Sequence, residues 1–115
     1  MAKRKRKQPK VAAATSVYTD AEGNVLTLRQ GLSRGSVRKL AEGPKSAAAS
    51  IEDAWQRREE AMFERLVVRW DVAGLPIDDQ KMLLGRYRMA SVEERRWVRA
   101  TIAAHVAEFI PELSG

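Results

Sequence analysis

Residues 51–77, IEDAWQRREEAMFERLVVRWDVAGLPI, decide how the rest of the chain is read. Ile51, Trp55, Met62, Phe63, Leu66, Val67 and Trp70 recur at the spacing that stacks side chains on one face of an α-helix. Arg57, Arg58, Glu59, Glu60 and Arg65 fall away from the centre of that stripe. Ser50 is placed to cap such a helix, and Glu52 and Asp53 suit the positive end of its dipole. The spacing therefore predicts a long amphipathic helix from Ile51 through Trp70, broken where Gly74 and Pro76 turn the chain. Each large side chain fully buried along the stripe contributes about 1.5–3 kcal/mol, so this helix is the expected spine of the core.

On its C-terminal side, Asp78 or Asp79 can cap a short helix reaching about Leu84, followed by a connector, 85–90, anchored by Tyr87 and Met89. Ser91-Val92-Glu93-Glu94 is a capping box, with a serine before the helix and a glutamate at its third position. The helix it opens should run to about Phe109 and end before Pro111. Val98, Ile102, His105, Val106 and Phe109 form its inward stripe, and Trp97 sits on the border.

On the N-terminal side, Val17, Tyr18 and Thr19 and then Val25, Leu26, Thr27 and Leu28 are strand formers around a turn over 20–24. Gly23 and Asn24 adopt positive φ at little cost, which places the reversal of a β-hairpin there. A lone two-stranded ribbon is marginal in water, so it must lie on the helices or pair with another chain. Val25 and Leu26, on the expected open edge, and the border residue Trp97 are thus the candidate protein interface. Residues 30–43 read as a loop entering a short helix, with Ser33 or Ser36 as N-cap and Gly43-Pro44 as stop signal. Residues 46–50, SAAAS, are an Ala-rich helix start or a linker. The expected fold is mainly α: one domain over 15–115 with about four helices and an N-terminal β-hairpin, preceded by a disordered basic arm over 1–14.

The net charge of +6 is unevenly placed. Lys3, Arg4, Lys5, Arg6, Lys7 and Lys10 supply all of it, and the 15 remaining Lys and Arg are matched by 15 Asp and Glu. Such an arm suits a phosphate backbone or another acidic partner through salt-sensitive, sequence-independent contacts. It equally suits a solubilising terminus. Arg29, Arg34, Arg38, Lys39 and Lys45, against Glu42, form the only locally basic part of the body. They read as a solvated helix face or as an extension of the arm's footprint.

The absence of cysteine excludes thiol chemistry and disulfides. No secretory leader or membrane-length apolar run is legible, so the expected compartment is the cytoplasm. His105, the lone histidine, lies within an apolar stripe with no acid beside it and reads as a packed structural residue. The acid pairs Glu59-Glu60, Asp78-Asp79 and Glu93-Glu94 diverge around a helix instead of converging as hydrolytic carboxylates do. No glycine-rich phosphate loop occurs, and a helix-turn-helix over 74–84 fits poorly because the second helix is short and carries only Lys81 as a reader. No catalytic, cofactor or metal residues are expected, and neither a membrane nor a small-molecule substrate.

The layout over about 17–113 resembles that of the small tail assembly chaperones of long-tailed phages and prophages. The likeness rests on the hairpin with Glu22-Gly23-Asn24 and Leu26-Thr27-Leu28, and on Leu32-Ser33 before the first helix. It rests further on Val68-Arg69-Trp70-Asp71 with Leu75-Pro76-Ile77 ahead of a short acid-capped helix. The basic arm departs from the family pattern. The resemblance implies a non-enzymatic, mostly helical protein that coats the tape measure while the tail tube polymerises in the host cytoplasm, through weak self-contacts and a helical partner. A small nucleic-acid-binding protein working through its arm is the alternative.

Overall fold

The computed structural model describes residues 14–42 and 51–114, with side chains from Gln56 onward in the second segment. The basic arm, the Gly43-Pro44 stop, SAAAS with its Ser50 cap, and the Ile51 and Trp55 side chains lie outside the described residues. Strands β1 (Thr15–Thr19) and β2 (Val25–Arg29) lead into helices α1 (Arg34–Glu42) and α2 (Ile51–Leu66). Strands β3 (Val67–Val72) and β4 (Leu75–Ile77) follow, then helices α3 (Gln80–Arg88) and α4 (Val92–Phe109) and a closing 3-10 turn, Pro111–Leu113.

The expectation of a mainly α fold is corrected. The four strands form one antiparallel sheet in the order β1-β2-β3-β4, beside four helices, and the domain is a small α/β unit. The difference arises inside residues 51–77, where the helix stops at Leu66 and 67–77 form a second hairpin. Val67, Val68 and Val72 are β-branched and Trp70 is aromatic, side chains that pack better on a pleated surface than against a helical turn. β2 and β3 pair with Leu28 opposite Val67 and Thr27 opposite Arg69, so Val68 is an extra residue in a bulge. The bulge brings Val67 and Trp70, three residues apart, to the same buried side. Strict alternation would have separated them, and that three-residue interval is what reads as helical.

The turn between β3 and β4 is two residues long, since Val72 pairs with Leu75. Ala73 has φ 52° and Gly74 φ 81°, the two positive values of a type I′ reversal. Glycine adopts this conformation freely, whereas alanine's Cβ makes it unfavourable by roughly 1–2 kcal/mol. Ala73→Asn, which creates the Asn-Gly pair favoured in this turn, is accordingly expected to raise stability by about 0.5–1 kcal/mol. The shift in urea midpoint measures it, and a lower midpoint would contradict the turn geometry.

One face of the sheet, with Leu26, Leu28, Val67 and Trp70, joins Phe63 and Leu66 of α2, Leu83 and Tyr87 of α3, and Val98, Ile102 and Val106 of α4 in a single core. Phe63 is stacked on Tyr87 at 4.6 Å between ring centroids and meets Trp70 edge-on at 6.0 Å. Arg86 places its guanidinium 5.2 Å from the centre of the Trp70 ring, a cation–π contact. The opposite face, with Val17, Thr19, Thr27 and Arg69, is exposed or half-buried.

Local capping follows the sequence closely. Asp79 accepts from the Met82 N–H at 3.1 Å, and Ser91 and Glu94 close the capping box reciprocally. Ser33 Oγ accepts from the Ser36 N–H at 3.2 Å and so caps α1. Over long range, Arg58 donates to the Leu40 carbonyl at 2.7 Å and the Leu113 carbonyl at 3.2 Å. It thereby satisfies carbonyls in the last turn of α1 and in the closing 3-10 turn, which those turns leave open.

Candidate interaction surface

β2 lies between β1 and β3, so the hairpin's free edge is β1 and not the strand carrying Val25 and Leu26. Leu26 is fully buried in the core and is not available to a partner; Val25 is half-buried on the outer face. Trp97 is partly buried and packs against the core. Lys3, Arg4, Lys5, Arg6, Lys7 and Lys10 lie outside the described residues.

His105 is 1% exposed, and both of its ring nitrogens are engaged. Nε2 is 2.6 Å from the Arg29 carbonyl, which can only accept, so Nε2 carries the proton. In the neutral imidazole Nδ1, 2.6 Å from the Tyr18 hydroxyl, then accepts the phenolic proton. This chain ties β1 and β2 to α4 and accounts for the histidine on packing grounds. Asn24 plays a comparable part at the other end of the sheet. Its backbone N–H and side-chain amide donate to Asp20 at 2.9 and 3.1 Å, and its Oδ1 accepts from the Ala73 N–H at 3.0 Å. One buried amide thus joins both hairpin turns.

The adjacent acids of α2 serve different neighbours. Glu60 pairs with Arg88 at 2.8 Å, and Glu59 with Arg99 at 3.2 Å and the Tyr87 hydroxyl. The Arg88 hydrogen bond holds the Glu60 carboxyl below the usual range, and Arg86 does the same for Glu94. Burial, reinforced by the negative charge of Glu59, pushes the Tyr87 phenol up to about 12. Because its folded-state pKa is raised, the stabilisation is complete below the unfolded value near 10.0 and is lost as pH climbs towards about 12. Alkaline titration should show the Tyr87 phenolate absorbance, isolated as the difference from Tyr87→Phe, rising only as pH approaches 12. Ionisation at the ordinary tyrosine value would contradict this.

Among the described residues, five large apolar side chains stand exposed: Val17 61%, Leu75 70%, Met82 62%, Met89 84% and Val92 59%. Three of them lie within 82–92, where α3 turns Leu83 and Tyr87 inward and leaves Met82 and Met89 outside. Met82 lies in the first turn of α3 and Met89, seven positions on, is its C-cap residue. Arg86 lies between them, drawn onto Trp70 and paired with Glu94 at 2.7 Å. Val92 begins α4 three residues later. The expected connector over 85–90 is corrected: residues 85–88 continue α3, and of its two expected anchors Tyr87 is buried whereas Met89 is exposed.

Among the described residues, no three His, Asp or Glu side chains converge as a metal-binding group, and no helix is long and apolar enough to cross a membrane. No known protein family, characterised protein or solved structure matches the chain.

Proposed function

We propose that the protein is a non-enzymatic assembly module of the tail-assembly-chaperone kind, engaging a helical, tape-measure-like partner or a second copy of itself through the Met82–Met89 side of α3. The observation that supports this reading most is the grouping of Met82, Met89 and Val92 as exposed apolar residues on one short segment. Unbranched, polarisable methionine side chains adapt to irregular helical partners, and anchors one heptad apart match the way helices recognise each other. The sheet's open β1 edge offers a second contact of the kind assembly proteins use. The reading is tested by the neighbouring genes, among which a tape-measure gene is expected, and by co-expression with its product. The two proteins should co-elute, and Met82→Lys/Met89→Lys should abolish co-elution and any self-association through α3 without shifting the melting transition. Unchanged association of that variant would count against it.

A second reading, nucleic-acid binding through the arm, is favoured by the charge segregation. All six surplus positive charges lie within 3–10, with no acid among them. Binding should then weaken steeply with salt. It should disappear when residues 1–10 are removed, whereas helical-partner binding should survive their removal.

A further inference from the structure

From the alternation of hydrogen bonds along the first hairpin we infer that the chain pairs with a second copy of itself, β1 against β1 and antiparallel, with Val17 facing Val17 on a two-fold axis. This contact is separate from the α3 side proposed above. The Gln30 N–H donates to the Ala14 carbonyl and the Asp20 N–H to the Asn24 carbonyl, both at 3.0 Å, at the two ends of an uninterrupted register. Facing residues of an antiparallel pair alternate between bonded and non-bonded positions, so Ser16 and Tyr18 direct their backbone groups to β2, while Thr15, Val17 and Thr19 direct theirs away from it. β1 is the terminal strand of the sheet. The outward N–H and C=O groups therefore form an open ladder. The Thr15 carbonyl meets Gln30 Nε2 at 3.3 Å and keeps a second lone pair for a partner strand.

The occupant that suits this edge is its own copy. TSVYT has no charge, proline or glycine, and its register with β2 carries no bulge, so the usual devices that blunt an edge are missing. β4, at the other side of the sheet, is three residues long with Pro76 at its centre and is blunted by both. One open and one blunted edge give a closed pair of copies in place of a growing sheet. About Val17 the two-fold register sets Val17 on Val17 and Thr15 on Thr19, β-branched pairs without like charges. The turn over 20–24 holds Asp20 and Glu22 and no cation, whereas Arg29 lies opposite Thr15 at the other end of the strand. Antiparallel pairing lays each acidic turn two strand spacings, about 10 Å, from Arg29 of the second copy; parallel pairing would set acid on acid. The edge is also held in place beforehand, since the Tyr18 hydroxyl bonds His105 at 2.6 Å and Gln30 Nε2 bonds Ser16 Oγ at 2.9 Å. A strand of 5 residues a side is far below the roughly 20–30 residues of a standard interface, so the dimer is weak and concentration-dependent.

Sedimentation of the full chain over about 1 μM to 1 mM should show a monomer–dimer equilibrium. Val17→Lys sets like charges on the axis and should raise the midpoint concentration at least about tenfold, whereas Val17→Thr should leave it nearly unchanged. Val17 is exposed, so both variants should melt with the wild type at concentrations where all are monomers. The chain has no cysteine, so single thiols report the register independently of affinity. Val17→Cys should cross-link on oxidation, because facing bonded positions lie about 5.5 Å apart at Cα, within disulfide reach. Thr19→Cys should not, since its two copies lie about 13 Å apart along the strands, but it should cross-link to Thr15→Cys when those two variants are mixed. A monomer throughout the range, an unmoved midpoint for Val17→Lys, or equal cross-linking of Val17→Cys and Thr19→Cys each overturns the inference. If Met82→Lys/Met89→Lys removes the dimer and Val17→Lys does not, the self-contact belongs to α3, and the pairing falls while the proposed function stands. Loss of the proposed function's helical partner, with the Val17→Cys cross-link retained, is the reverse outcome and leaves the pairing in place.

Discussion

Replacing Phe63 by alanine is expected to cost about 3–5 kcal/mol of folding stability, a large part of the roughly 5–15 kcal/mol that a small domain possesses. Phe63 is 1% exposed and lies where three elements meet: it belongs to α2, stacks on Tyr87 of α3 and meets Trp70 of β3 edge-on. Truncation removes the ring's own burial and two aromatic contacts, each worth roughly 0.5–1.5 kcal/mol beyond area. The flanking Leu66, Trp70 and Tyr87 are held by sheet and helix backbone and close the space only partly, which adds the cavity contribution. Urea unfolding followed by tryptophan fluorescence measures the change. A loss under about 1.5 kcal/mol, the scale of a conservative core change, would mean that the three elements do not depend on this ring. Phe63→Leu, which keeps most of the volume, should lose less than half as much.

The second large effect is expected at Asn24. Asn24→Leu keeps the residue's size but removes the acceptor for the Ala73 N–H and the amide donor to Asp20. Ala73 lies in an exposed turn where water can replace the lost acceptor, so that bond costs about 0.5–1.5 kcal/mol, and the lost bond to the charged Asp20 carboxylate adds about 1.5–3 kcal/mol. A total near 3 kcal/mol is expected, comparable to a core truncation although Asn24 sits in a turn. Amide hydrogen exchange supplies a readout specific to the mechanism, because protection at Ala73 should fall further than global stability does. Asn24→Asp keeps an oxygen for Ala73 but sets a like charge against Asp20, so it should retain Ala73 protection while still destabilising the first turn. Equal exchange at Ala73 in Asn24→Leu and the wild type would remove the basis for a link between the two hairpins.

Features governed by neighbours in sequence were legible before the structure. The β1–β2 hairpin, the Asp79 cap, the Ser91–Glu94 box, and the start of α4 and its stop before Pro111 all depend on interactions spanning a few residues. The β3–β4 hairpin was not legible, because its bulge is set by pairing with a strand some forty residues earlier and disguises a strand as helical spacing. Leu26 was misplaced for a related reason: a hairpin's second strand is an edge only until a third strand arrives to cover it. The packed role of His105 followed from its apolar stripe, whereas its partners Tyr18 and Arg29 come from the far end of the chain. The exposure of Met82 in α3 and of Met89 at its C-cap was hidden because apolar composition alone does not say which side of a short helix meets the core.

Arg58 carries one further consequence. By holding the carbonyls of Leu40 and Leu113 together, it makes the last turn of the chain part of the seat on which α1 rests. Leu113 is itself 3% exposed. A fusion joined after Ser114 leaves that seat whole, whereas a truncation after Ile110 frees one hydrogen bond of the guanidinium and uncovers Leu40. Trimming the C-terminus would therefore loosen a helix seventy residues upstream, and with it the alignment of the basic residues that α1 displays.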